Sequence, residues 1–414
     1  MGQVAAQSLS LIGGFLIVRW LRVGDYGQYG LVYSFQSMLN ILVDLGFSTT
    51  IVALVGTRWN QPSVIGNFIR AGRSLRVSLL LVVFPVAALV FLGFTRNLKW
   101  GLFTQFSFLA SILLALHFSG VVAYYGAPLL LVRRLRTYYG LQVAAAVIRI
   151  LGCLVLFRAD RLNASSAIWI NVLSIIFLAS GYRLASKRLI VEPEKPDPEA
   201  KQQIFKTIVP HLPFLIFFAF QGQISVFLVA AFGHGTAIAQ VSALGRLGQM
   251  FVFLSASNAV LIEPWLARSP RERLVARFCV TVSLATLLVV SVLVVSLFAP
   301  QAFLALLGTN YSNLRTELRW QLLASGVSYL NGVVWTASTS RRFIYWVTSW
   351  SNISAITATQ VLFIAFIGVS NTVQAIQLAL VAASASLVVY IVNFFYGLIK
   401  GPRLQIQVET QAAA

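Results

Sequence analysis

The chain has 414 residues, of which 58% are hydrophobic and only 10% are Asp, Glu, Lys or Arg. So few charges cannot cover a water-soluble domain, where roughly a quarter of residues are charged. The formal charge of +20 falls in short clusters between apolar runs, which excludes the continuous basic stripe of a nucleic-acid-binding protein and points to membrane topology.

The apolar runs approach the ~20 residues that cross a bilayer. The first, Val4 to Val18, is short for a crossing, with Arg19 placed to snorkel. No charged stretch followed by a small-residue cleavage site opens the chain, so a cleaved leader is not expected. Gly24-Asp25-Tyr26-Gly27-Gln28-Tyr29-Gly30 suits a tight turn or a close helix entry. The second run, Leu31 to Val55, carries Asp44 at its centre. Arg70, Arg73 and Arg76 follow at a spacing of three, which predicts one charged face of an interfacial helix. Val77 to Phe94 contains Pro85. Gly101 to Val132 contains His117 and is closed by Arg133, Arg134 and Arg136. Leu141 to Phe157 contains Arg149, and Ala164 to Ser180 is the sixth run.

Tyr182 to Lys206 is the one strongly polar interior stretch, with Pro193, Pro196 and Pro198 among its charges. That composition argues against packed structure there. Six more runs follow: Ile208 to Phe232, Thr236 to Trp265 with Arg246 inside, Phe278 to Phe298, Trp320 to Thr336, Ile344 to Val369 and Thr372 to Leu398. The expectation is an all-α polytopic membrane protein of about twelve transmembrane helices, in two six-helix bundles around a central cavity. Its divisions are an N-terminal bundle over 1–181, a cytoplasmic linker over 182–206, a C-terminal bundle over 207–399 and a cytoplasmic tail over 400–414. With the linker inside, 21 basic residues fall on the cytoplasmic side and 8 on the other, alternating loop by loop. This is the positive-inside pattern, and it puts both termini in the cytoplasm of a cell inner membrane.

Charged groups inside apolar runs cost at least ~2.5 kcal/mol by insertion scales and face a cavity or a partner. The candidate binding residues are therefore Arg149, Arg246, Asp44 and His117. Two arginines on a central cleft suit phosphate oxygens. The alternative is that each pairs within the bundle and only holds it together, and Asp44 neutralises at most one of them. Asp44 has a rival reading as a cation or proton site. His117 reads as a titrating group or as a hydrogen-bonded structural histidine. His211 and His234 read as interfacial, and Arg70, Arg73, Arg341 and Arg342 as topology markers or contacts to lipid phosphates. Cys153 and Cys279 read as buried thiols. No metal-ligand spacing, phosphate loop or catalytic constellation occurs, so no enzyme and no cofactor are expected.

The chain resembles the Wzx-like polysaccharide and O-antigen flippases of the multidrug/oligosaccharidyl-lipid/polysaccharide exporter superfamily. The likeness rests on Gly24 to Gly30, on Asp44-Leu45-Gly46-Phe47, and on Gly245-Arg246-Leu247-Gly248-Gln249, together with the six-plus-six helix count. It implies alternating access that moves a polyprenyl-diphosphate-linked oligosaccharide across the cytoplasmic membrane for cell-surface polysaccharide synthesis. Arg149 and Arg246 would then contact diphosphate or acidic sugars, and Asp44 would couple to H+ or Na+ or form a salt bridge. The implied partners are the lipid-linked oligosaccharide, membrane lipids and glycan polymerase or assembly proteins, with no nucleic acid. Two other readings stay open: a cation-coupled small-molecule or drug exporter of the same superfamily, and a non-transporting membrane partner of a glycan assembly complex.

Overall fold

The computed structural model describes residues 2–98, 100–209, 212–232, 235–258, 262–343 and 345–401. His211, His234 and the tail 402–414 lie outside the described residues. Helices account for nearly all of the described chain. In order they are α1 (Gly2–Trp20), α2 (Val23–Asp44), α3 (Phe47–Val55), α4 (Pro62–Asn97), α5 (Leu102–Leu131), α6 (Leu135–Arg158) and α7 (Ala164–Ser186). There follow α8 (Pro198–Ile208), α9 (Leu212–Gln221), α10 (Ile224–Phe232), α11 (Gly235–Ser257) and α12 (Glu263–Ala267). The last are α13 (Arg271–Phe298), α14 (Pro300–Leu307), α15 (Arg315–Ser340), α16 (Trp346–Phe366) and α17 (Thr372–Lys400).

Local chemistry sets many of the ends. Pro62, Pro198 and Pro300 open helices at the first turn, where a missing N–H costs nothing. Asn163 caps α7 in a reciprocal box with Ser166, and Asn371 accepts from the Gln374 N–H at the start of α17. Pro85 sits inside the 36-residue α4 without ending it, as neighbouring helices allow in membranes. Among the described residues six helices, α4, α5, α6, α7, α13 and α17, are each long and apolar enough to cross a membrane, and α8 with α9 would add a seventh. Leu81, Val82, Val86 and Leu89 stand exposed on α4, a surface suited to lipid and not to water. The shorter or more polar α1, α2, α11, α15 and α16 fall on the other expected runs. The 19 residues of α1 rise about 28 Å at ~1.5 Å per residue, close to the hydrocarbon thickness of ~30 Å.

Three local readings are corrected. Gly24 to Gly30 is helical, within α2. The close-entry alternative fits: a Cβ on Gly27 would lie 2.7 Å from the Gly235 carbonyl oxygen. The second run is not one helix. Leu45 (φ 43°) and Gly46 (φ 77°) turn left-handed and separate α2 from α3, so Asp44 ends a helix and does not centre one. Cys279 is exposed, while Cys153 is buried.

The chain divides into two compact units, Met1–Ala239 and Gln240–Ala414. In the first, α9 and α10 pack against α2, and Phe227 meets Phe35 edge-on at 5.4 Å. The polar stretch 182–206 is packed, against expectation. α7 runs on to Ser186, and the Val191 N–H bonds the Pro62 carbonyl at 3.1 Å. Ala200, Ile204 and Ile208 of α8 join a buried cluster with Leu45, Phe47, Ile51, Ile65 and Ile69. In the second unit α15, α16 and α17 form the densest packing, with α13 against α15.

Candidate functional site

Arg76 is the centre of the polar interior of the first unit. It was expected on an interfacial helix, but it lies fourteen residues into the long α4 and is only 4% exposed. Its Nη1 donates to Asp44 Oδ1 at 2.9 Å, and its Nη2 donates to Asn40 Oδ1 at 2.8 Å and to the Leu116 carbonyl at 3.0 Å. Ser48 Oγ donates to the other Asp44 oxygen at 2.8 Å. The end of α2, the start of α3, α4 and α5 thus converge on one ion pair. Gly120 makes room for it, since a Cβ there would meet Arg76 Nε at 2.4 Å.

One turn back on α4, Arg73 donates to the Tyr125 hydroxyl at 3.0 Å and lies 3.8 Å from Glu192. Tyr125 in turn donates to Glu192. A further turn back, Arg70 donates to the Glu194 carbonyl at 3.2 Å. The spacing of three does make one face, as expected, but that face binds Asp44 and the 190–194 segment. Tyr125, Arg183, Leu184, Lys187, Ile190 and Glu192 line a cavity of about 700 Å³ beside it.

The four expected residues are not gathered in one place. Asp44 and His117 come near each other through Arg76, which bonds the carbonyl just before the histidine. His117 is exposed in the middle of α5, and no hydrogen bond holds its ring among the described residues; this argues against the structural-histidine reading. Arg149 sits on α6, where it donates to Ser10 Oγ at 3.1 Å and to Asn171 at 3.5 Å, joining α1 and α7. Its Nε is buried without a partner. Arg246 belongs to the second unit, half-exposed on α11, with its Nη1 directed to Gln249 at 3.4 Å. Asp44 neutralises neither of the two expected arginines. Its partner is Arg76, which the sequence reading places on an interfacial helix at the edge of the third run.

In the second unit three asparagine side chains tie helices to one another or to the segment between α15 and α16. Asn331 donates to the Ala383 carbonyl, Asn352 to the Tyr390 hydroxyl and Asn393 to the Phe343 carbonyl, each at 2.9 Å. Such contacts hold membrane helices together. Among the described residues no group of His, Cys, Asp or Glu is arranged to hold a metal ion.

No protein-family model and no curated protein matches the chain. Solved structures do. An inward-facing multidrug resistance MATE family transporter of the MOP superfamily aligns over 95% of this chain and 94% of that one, at 14% identity and a TM-score of 0.63. A MATE in the bent conformation aligns over 100% and 95%, at 13% identity and a TM-score of 0.59. The eukaryotic MATE transporter AtDTX14 aligns over 94% and 92%, at 12% identity and a TM-score of 0.59. The chain is therefore an all-α, multi-pass membrane protein with the two-bundle fold of those transporters. The expected all-α membrane fold stands, and the expected activity is corrected. The similar structures are MATE multidrug transporters, so translocation of lipid-linked oligosaccharide, its role in polysaccharide or lipopolysaccharide synthesis and its glycan-assembly partners are set aside.

Proposed function

We propose that the chain exports small molecules across the cell inner membrane in exchange for a cation, H+ or Na+, with both termini in the cytoplasm. The observation that carries this reading is the MATE-type fold over 95% of the chain. Asp44 supports the coupling role. It is a largely buried carboxylate within an expected apolar run, and its partner Arg76 is a cation that an incoming H+ or Na+ must displace. Asn40 and the Leu116 carbonyl hold the guanidinium while Asp44 is occupied. The cargo is neutral or anionic: Asp44 is neutralised in place, and the mid-helix groups proposed to contact the cargo, Arg149, Arg246 and His117, are basic.

The test is efflux from proteoliposomes under an imposed pH or Na+ gradient, with anionic, neutral and cationic dyes compared. Wild-type protein is expected to move the anionic or neutral dyes with a gradient. Asp44→Asn/Arg76→Gln, which removes both charges together, is expected to lose the gradient dependence. Arg149→Gln and Arg246→Gln are expected to raise the KM for anionic dye several-fold. Efflux indifferent to both gradients, or confined to cationic dye, would sink the proposal.

A further inference from the structure

We propose that Arg277 and Arg341, at one rim of the second unit, form a binding site for the phosphate of an anionic lipid headgroup. The two guanidiniums are pinned to a single residue. Ser269 is 4% exposed. Its hydroxyl accepts from Arg277 Nη1 at 2.7 Å and donates to the Trp265 carbonyl at 2.8 Å, while its own carbonyl accepts from Arg341 Nη2. The backbone fixes Arg341 from the other side. Arg342 turns left-handed (φ 58°) after α15, with its N–H on the Thr339 carbonyl at 2.9 Å.

Two like charges so held need an anion. Among the described residues neither guanidinium has a carboxylate partner; the ion pairs are Arg73–Glu192 and Arg76–Asp44. Each guanidinium carries five N–H donors. Arg341 Nε is buried with none to receive it. Burial, and then the nearby Arg277, lowers the pKa of Arg341 from its ordinary value. A phosphate bridging the forks satisfies charge and donors at once, in the geometry guanidinium favours.

The surroundings identify the source as lipid. Arg277 lies over the ring of Trp265, 5.2 Å from its centroid, and Trp265 is 41% exposed, as at a bilayer interface. Beginning one turn deeper on α13, Val280, Leu284 and Leu287 stand 49%, 62% and 62% exposed. They form a single stripe (i, i+4, i+7) along which an acyl chain lies while its headgroup meets the two arginines.

The test is thermal unfolding of the full chain in phosphatidylcholine nanodiscs, with and without phosphatidylglycerol. The wild type is expected to gain about 2–4 °C in Tm with the anionic lipid. Arg277→Gln/Arg341→Gln is expected to gain nothing, and Arg22→Gln, in the other unit, to gain as the wild type does. In phosphatidylcholine alone, Arg341→Gln is expected to be at least as stable as the wild type, because it removes a repulsive neighbour. An equal gain in the double variant overturns the site. So does an Arg341→Gln protein that is less stable in phosphatidylcholine, since the arginine is then a structural clamp. Inorganic phosphate that reproduces the whole gain in phosphatidylcholine, with nothing added by phosphatidylglycerol, overturns the lipid source.

Discussion

At the scale of single residues, the Asp44–Arg76 pair dominates. Its side chains are 17% and 5% exposed, and removing one partner of a buried pair typically costs about 3–5 kcal/mol. Asp44→Asn is expected to lower Tm in detergent sharply, and Asp44→Asn/Arg76→Gln to regain most of the loss; a double variant no better than the single one would show that the pair is not the cause. Gly120→Ala is expected to destabilise by crowding Arg76, whereas Gly140→Ala, whose Cβ would meet nothing within 4 Å, is not. Asp44 itself was legible, as an acid inside an apolar run. Its partner was not. Arg76 closes a basic cluster at the edge of the third run, and hydropathy cannot distinguish a helix that begins there from one already well into its span. The left-handed turn at Leu45 was equally hidden, since a leucine gives no signal for positive φ.

At the scale of elements, the stretch after α7 shows where composition misleads. Prolines and charges predicted an unpacked linker. Yet Ala200, Ile204 and Ile208 recur at a spacing of four, and that face is buried. Lys201, Gln202, Gln203 and Lys206 surround this narrow apolar stripe and dominate the average. The preceding segment lies tightly on α4: a Cβ on Gly66 would fall 1.9 Å from the Val191 carbonyl oxygen, and Glu192 is held by Arg73 and Tyr125. Gly66→Ala and Glu192→Gln are each expected to speed amide hydrogen exchange over residues 188–197 by tenfold or more while leaving α13 and α15 unchanged. Exchange at wild-type rates in both variants would show that the segment is held elsewhere.

At the scale of the whole molecule, the all-α membrane class and the order of the apolar runs were readable, because crossing a bilayer demands length and hydrophobicity that few sequences carry by accident. The proposed cargo was not. In the short glycine-based segment Gly245 to Gln249, Gly248 serves packing, since a Cβ there would lie 2.5 Å from Ser325 Oγ, and so it reports the fold and not the cargo. The proposed orientation has a direct check. In a Cys279→Ser background, which removes the exposed native thiol, Lys195→Cys is expected to react with an impermeant maleimide from the cytoplasmic face only, and Asp160→Cys from the opposite face only. The reverse pattern would invert the molecule.

The inclusion of α8, α9 and α10 in the first unit bears on how the protein is made. Helices α1 to α7 are complete at Ser186, yet the apolar face of α3 and α4 has no cover until α8 has been synthesised. Ribosomes add ~5–20 residues per second, so the roughly 20 residues from Ser186 to Ile208 take on the order of 1–4 s. Throughout that interval the nascent bundle lacks the three apolar side chains that close this cluster. Ribosome pausing near codon 190 is therefore expected to be more damaging to yield than pausing in the loops of the second unit.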